Sequence, residues 1–289
     1  MKNILEYICF LSLSKLIRLL GINISRGLSP VLASLFFYII PIRRSTTIEN
    51  LKNAFPDFSN NKIKKIAFRC FNSFCITLIE ILYIPGMNED EIKKQVNCIN
   101  SEIIKKRYDE QKGVILLSAH FGNWEYVATS VAAQLRIPFS VVIKVQRNPY
   151  VTEWLNRART KWNNEIVPLG ISIRQTYQTL KNKNIVAMVA DQRGPQEAIK
   201  VMFFGKEVSV HTGPAVLALK TGAPILYGIP VRQNNFKYET IMTEISKDNL
   251  PDSQEGKIKE ISQRHMAYLE SYIRKYPEQW LWMHKRWKH

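Results

Sequence analysis

The chain has 289 residues, 46% of them hydrophobic, enough to bury one large α/β core or two small ones. Lysine and arginine (41) exceed the acids (24), for a formal charge of +17 and an isoelectric point near 9.7, which excludes a neutral or acidic surface and points to nucleic acid, anionic lipid or an acidic carrier protein. Four cysteines without a Cys-x-x-Cys pair and five scattered histidines exclude the usual metal-ligand spacings, so no metal is expected, and the cysteines fit free thiols in a reducing compartment.

Met1 to Leu20 carries Ile4, Leu5, Ile8, Leu11, Leu16, Leu19 and Leu20 with Lys2, Lys15 and Arg18 between them, the pattern of an amphipathic helix. A signal peptide is the competing reading, opposed by Glu6, Lys15 and Arg18 within the apolar region and by the want of a small-residue cleavage site. Leu28 to Ile42 is more apolar and closes at Arg43-Arg44. It is shorter than the ~20 residues that span a bilayer upright, so interfacial and spanning helices both stay open. Through Arg44 there are six cations and one acid, a bias toward an anionic membrane face. A helical hairpin packed on the protein's own core is the plainer alternative. The expected division is residues 1–44 as membrane-associating helices and 45–289 as one α/β domain.

Ile48 to Leu82 reads as helical, broken and restarted at Pro56 and Ser59-Asn60-Asn61. From Ile63, the positions Ile66, Ala67, Cys70, Phe71, Phe74, Leu78 and Leu82 recur at helical spacing and predict a core helix. Glu102 to Gln111 is a lysine-rich helix leading into Val114-Ile115-Leu116-Leu117-Ser118-Ala119. That run of small and apolar residues predicts a strand buried on both faces. The chain then turns at His120, and Gly122-Asn123 starts a helix over Trp124 to Leu135 with Glu125 in its first turn.

A histidine thus ends a buried strand, with a carboxylate five residues on. Along one continuous helix the two would point about 140° apart, so they meet only across the turn. There Glu125 is expected to accept a hydrogen bond from one ring nitrogen of His120, leaving the other as a base for a substrate hydroxyl or amine. The plainer reading is a satisfied loop histidine with Glu125 complementing the helix dipole.

Further strands are predicted over Pro138 to Val145, Ile185 to Ala190, Pro224 to Val231 and Phe236 to Ile245, the last two as a hairpin across Gln233-Asn234-Asn235. Helices are predicted over Pro149 to Asn163, Ile173 to Lys181 and Lys257 to Lys275, the last with His265 among its core residues. The fold class is α/β: a single domain with a mixed, largely parallel central sheet flanked by helices, plus the N-terminal membrane-associated helices. Strand ends line the crevice of such sheets, so His120, Asp191 and Arg193 face one site. Arg193 suits phosphate, while Asp191 either takes part directly or holds a neighbouring loop. His211 is either a second polar site group or structural. The tail, with Trp280, Trp282, Lys285, Arg286, Trp287 and Lys288, is read first as aromatic packing on the sheet, before a membrane belt or a nucleic-acid patch.

His120-Phe121-Gly122-Asn123-Trp124-Glu125 resembles the His-x-x-x-x-Glu block of the bacterial lipid A late acyltransferases, the lauroyl and myristoyl transferase family within the glycerolipid acyltransferase superfamily. Asn50-Leu51-Lys52-Asn53-Ala54-Phe55-Pro56, Asp191-Gln192, Phe203-Phe204-Gly205 and Tyr276 to Trp287 resemble family signatures in the family's order, so the resemblance covers nearly the whole chain. It implies that His120 is the general base for acyl transfer from a thioester and that Glu125 orients it. It also implies a functional arginine in the helix from Pro149, assigned to Arg159, which pairs with a phosphate or stabilises the oxyanion. Asn123, Arg159, Asp191 and Arg193 are the expected substrate-binding residues. The family's commoner form has an acid after the Asp-Gln pair; here Arg193 stands there, which leaves the acceptor open.

The expectation is therefore a membrane-associated O-acyltransferase on the cytoplasmic face of the bacterial inner membrane. Its donor is an acyl carrier protein or acyl-coenzyme A, its acceptor a Kdo-lipid A precursor or another glycolipid or lysophospholipid, and no cofactor or nucleic acid is involved. The rivals are a basic nucleic-acid-binding protein, motivated by charge and interleaved aromatics, and a catalytically silent membrane scaffold.

Overall fold

Ile115 and Leu117 pack into one buried cluster while Val114 and Leu116 pack into another, the two-residue period of a strand covered on both faces. The computed structural model describes residues 1–169 and 172–288. Its strands are β1 (Val96–Cys98), β2 (Val114–Ser118), β3 (Phe139–Ile143), β4 (Glu165–Pro168), β5 (Ile185–Val189), β6 (Lys200–Phe203), β7 (Lys206–Ser209), β8 (Ile225–Gly228), β9 (Val231–Arg232), β10 (Tyr238–Thr240) and β11 (Met242–Glu244). A mixed central sheet runs β11-β8-β2-β5-β3-β4; neighbours from β8 to β4 pair parallel and β11 pairs antiparallel with β8. On one face lie the helices Asn60–Tyr83, Gly213–Thr221 and Gln254–Lys275 with the tryptophans of the tail; on the other lie Glu102–Asp109, Trp124–Leu135 and Pro149–Thr160.

The two strands expected after Pro224 are each divided. β8 and β11 join the central sheet, whereas β9 and β10 make the hairpin and join β1 in a separate three-stranded sheet. Pro230, with no amide hydrogen for a ladder, lies between β8 and β9. The edge strand β4 is not among the strands predicted from the sequence; it is four residues long and ends in a proline.

The N-terminal helix Lys2–Leu20 matches expectation. Leu28 to Ile42 is not one rod: helices Ile22–Gly27 and Ser29–Ser34 and a π-helical turn Leu35–Ile39 follow one another, with Gly27 and Pro30 at the joints. Among the described residues, two segments are long and apolar enough to cross a membrane. Asn60–Gly86 has 61% of its 18-residue apolar window buried and serves as the core helix, but Ile22–Ile39, with a mean hydropathy of 1.3, has only 28% buried. The inner side of the N-terminal region packs: Ile17 meets Ile79 and Leu82, the Ser14 hydroxyl donates to the Leu82 carbonyl at 2.9 Å, and Phe10 sets its edge on Trp154. The outer side leaves Leu5, Ile8, Leu16, Leu19, Ile24 and Val31 exposed. Apolar surface of that extent is unusual on a protein meeting only water.

Candidate active site

β2 and β5 run side by side with Ser118 opposite Val189. Two residues further along each strand stand His120 and Asp191, which brings imidazole and carboxylate together at the carboxyl edge of the sheet. His120 Nδ1 lies 2.7 Å from Asp191 Oδ1, and the His120 amide donates to Oδ2 at 3.0 Å. The Trp280 indole donates to the same Oδ2 at 2.8 Å. The carboxylate on Nδ1 is therefore that of Asp191, which corrects the expected hydrogen bond from His120 to Glu125. Glu125 receives Arg159 instead, at 2.8 Å from Nε and 2.6 Å from Nη2, a two-pronged ion pair. The reason is the register: parallel neighbours align their strand ends, whereas the turn carries Glu125 into a helix whose first turn faces Pro149–Thr160.

The turn itself is held from several sides. Leu281 donates its amide to the His120 carbonyl at 2.9 Å, and the Gly122 amide donates to the Gln279 carbonyl at 2.9 Å. Gly122 has φ +51, and a Cβ there would collide with the Pro230 carbonyl, so only glycine fits. Asn123 is fully buried: its Oδ1 caps the following helix by accepting the Tyr126 amide, and its Nδ2 donates to Glu80 at 2.9 Å. That differs from its expected place on substrate, because both amide atoms are engaged inside the protein.

Electrostatics follow from these contacts. Burial works against the imidazolium, but the charge and hydrogen bond of Asp191, with a smaller contribution from Glu125, outweigh it and raise the His120 pKa. Burial pushes Asp191 upward. The charge and hydrogen bond of His120, the Trp280 indole and the His120 amide prevail and hold it below the ordinary carboxylate value. With Nδ1–H given to Asp191, neutral His120 keeps Nε2 as its acceptor. Its side chain is 19% exposed and stands in a crevice with Ser73, Phe74, Thr77, Trp124 and Leu281. Trp124 sets its ring on the imidazole, centroids 4.8 Å apart.

Two further candidates near the turn, a hydroxyl and a thiol, are poor nucleophiles. Ser118 donates to the Gly228 carbonyl at 2.8 Å, across the sheet. Cys70 lines the crevice, but burial and then Glu278 drive its thiol pKa well up. Among the described residues, no group of three or more His, Cys, Asp or Glu is placed to hold a metal.

Arg193 is held by the tail and is not among the residues lining the crevice: its amide donates to His284 Nε2 at 3.2 Å and its Nη1 to the Lys288 carbonyl at 3.1 Å. His284 was not singled out by residue reasoning; burial, then Arg193, lowers its pKa to about 4, so it is a neutral acceptor. Trp280 belongs to the tail read first as packing, before a membrane belt or a nucleic-acid patch, and its hydrogen bond to Asp191 is the added finding; the tail's likeness to a family signature is the available signal. His265 is buried in the core, with its pKa lowered to about 4 by burial and then Arg286.

A carboxylate–imidazole pair at a strand-end crevice suits a group-transfer enzyme. A sequence model described as bacterial lipid A biosynthesis acyltransferase matches residues 3–289. The chain is 25% identical over 242 residues to the lipid A biosynthesis lauroyltransferase of Escherichia coli strain K12, covering 83% of this chain and 77% of the relative. It is 23% identical to the lipid A biosynthesis palmitoleoyltransferase of the same strain (85% and 79%) and 21% identical to the phosphatidylinositol mannoside acyltransferase of Mycolicibacterium smegmatis (72% and 67%). The chain belongs to the bacterial lipid A biosynthesis acyltransferase family and is an acyltransferase.

Proposed function

We propose that the protein transfers a fatty acyl chain from a thioester, on acyl carrier protein or coenzyme A, to a hydroxyl of a glycolipid, with a Kdo-lipid A precursor as the leading acceptor. The observation that carries this reading is the 2.7 Å contact between His120 Nδ1 and Asp191 Oδ1, with the imidazole open to a crevice. Nε2 takes the proton of the acceptor hydroxyl as its oxygen bonds to the thioester carbonyl carbon. The tetrahedral intermediate then collapses, the carbon–sulfur bond breaks, and the proton passes to the leaving thiolate. Asp191 orients the ring and stabilises the imidazolium in between. Glu125 adds negative charge near the imidazole and holds Arg159, which with Arg193 is available to phosphates of donor or acceptor.

The exposed apolar side of residues 1–42, with the cations around it, supports seating on an anionic lipid surface at the cytoplasmic face of the inner membrane. Similarity to the mannoside enzyme supports a second acceptor class, another glycolipid or a lysophospholipid. The test combines lipid mass spectrometry of a deletion strain with complementation by His120→Ala. We expect the strain to lack one acyl chain on a glycolipid and His120→Ala to fail to restore it, with purified turnover down by about 10³-fold. An unchanged lipid profile, or restoration by the folded variant, overturns the reading.

A further inference from the structure

Glu80 lies wholly buried on the core helix, and its carboxylate collects donors from three distant parts of the chain. Arg26 Nε donates to Oε1 at 2.9 Å, with Nη2 2.7 Å from the same oxygen. Asn123 Nδ2 and the Tyr238 hydroxyl donate to Oε2 at 2.9 and 2.6 Å. The Tyr238 oxygen in turn accepts Arg232 Nε at 2.7 Å, and Arg232 Nη2 donates at 3.0 Å to Thr77 Oγ1. Thr77 accepts from Arg232 and has one hydrogen of its own to donate, with the Gly122 carbonyl at 2.7 Å nearer than the Ser73 carbonyl at 3.1 Å. The circuit closes around Gly122-Asn123, the residues directly after His120 and Phe121.

A carboxylate stripped of water is tolerated only when such donors surround it, and removing one leaves the rest uncompensated. Arg26 is the donor from outside the α/β body. It is 5% exposed, lies 5.0 Å from the centre of the Phe236 ring, and belongs to Ile22–Gly27, whose Ile24 faces outward. The apolar N-terminal region is thus joined to the His120 turn by one buried ion pair and one capping asparagine.

We propose that Glu80 and Arg26 are positioning residues for acyl transfer: the pair sets the His120 turn against the N-terminal apolar region, so that the imidazole is in place when that region is seated on lipid. This rests on the reading of His120 as the transferring base. The role makes the pair matter in the transition state more than in donor binding.

The experiment compares wild type, Arg26→Lys, Arg26→Met and Glu80→Gln in anionic vesicles carrying the glycolipid acceptor. It measures kcat and donor KM, with near-UV circular dichroism for the fold and the ring 15N signals of His120 by NMR. Arg26→Met and Glu80→Gln are expected to lose about tenfold or more in kcat with donor KM within about twofold, Arg26→Lys falling between them and wild type, and the His120 ring signals moving in all three. Wild-type kcat in a folded Arg26 variant, or a loss confined to KM, overturns the proposal. Where Arg26→Met or Glu80→Gln does not fold, Arg26→Lys decides by its kcat and ring signals. A wild type that transfers no acyl chain while the ring signals still move overturns the acyl-transfer reading and leaves the link standing; normal wild-type transfer with unmoved signals does the reverse.

Discussion

Asp191 and Glu125 flank the same histidine, and the fold uses their oxygens differently. Asp191, 2% exposed at the end of β5, takes the imidazole, a backbone amide and an indole. Glu125, on the first turn of a helix, gives both oxygens to Arg159. The first acid faces a group whose charge depends on its protonation, so its strength as a partner varies with that proton. The second faces a permanent cation, so the pair stays electrically closed until an anion competes for the guanidinium. On the reading proposed here, one carboxylate governs proton transfer and the other governs the readiness of an anion-binding arginine.

Substitution can separate the two. The largest effect is expected from Asp191→Asn, about 10²-fold or more in kcat, because an amide neither fixes the tautomer nor stabilises the imidazolium. The pH profile carries the sign. On the proposed mechanism His120 acts as a base only when neutral, and Asp191 raises its pKa, so wild-type activity is expected to be lost as pH falls through that raised value. Removing the carboxylate moves the acidic limb to lower pH; a limb that stays in place would remove Asp191 from the mechanism. Glu125→Gln is expected to cost less, about tenfold in turnover, since only a smaller charge contribution reaches the imidazole and Arg159 loses its anchor. Equal losses in the two variants would mean that both acids act on the proton.

The smallest effect belongs to the N-terminal helix Lys2–Leu20. Replacing exposed Leu16 and Leu19 by aspartate removes apolar contact and adds negative charge on the outer side of the N-terminal helix. Partition onto anionic vesicles is expected to fall at least several-fold, read by sedimentation. Unchanged partition would return that face to ordinary protein surface.

Much of the site was legible locally. The apolar run Val114 to Ala119 predicted β2, the polar turn after it predicted a strand-end histidine, and the family signatures in order predicted the enzyme class. The core helix from Asn60 was equally plain from its apolar spacing. Less legible were β4, the division of the strands around Pro230, and the burial of Asn123, which depend on neighbours supplied by other parts of the chain.

What the amino-acid order determined by itself was periodicity and punctuation: the long helices and the buried central strands, where an imidazole ends a strand, and which N-terminal face is apolar. These are properties of neighbouring residues, fixed by the 3.6- and 2-residue repeats of the backbone. Only the tertiary structure decided which acid meets His120. The partner lies 71 residues away, and it arrives through the alignment of β2 with β5, while the acid five residues away is turned aside by its own helix. Sheet order and register are settled by packing across the whole domain, so the nearest carboxylate in the chain is not the nearest in space.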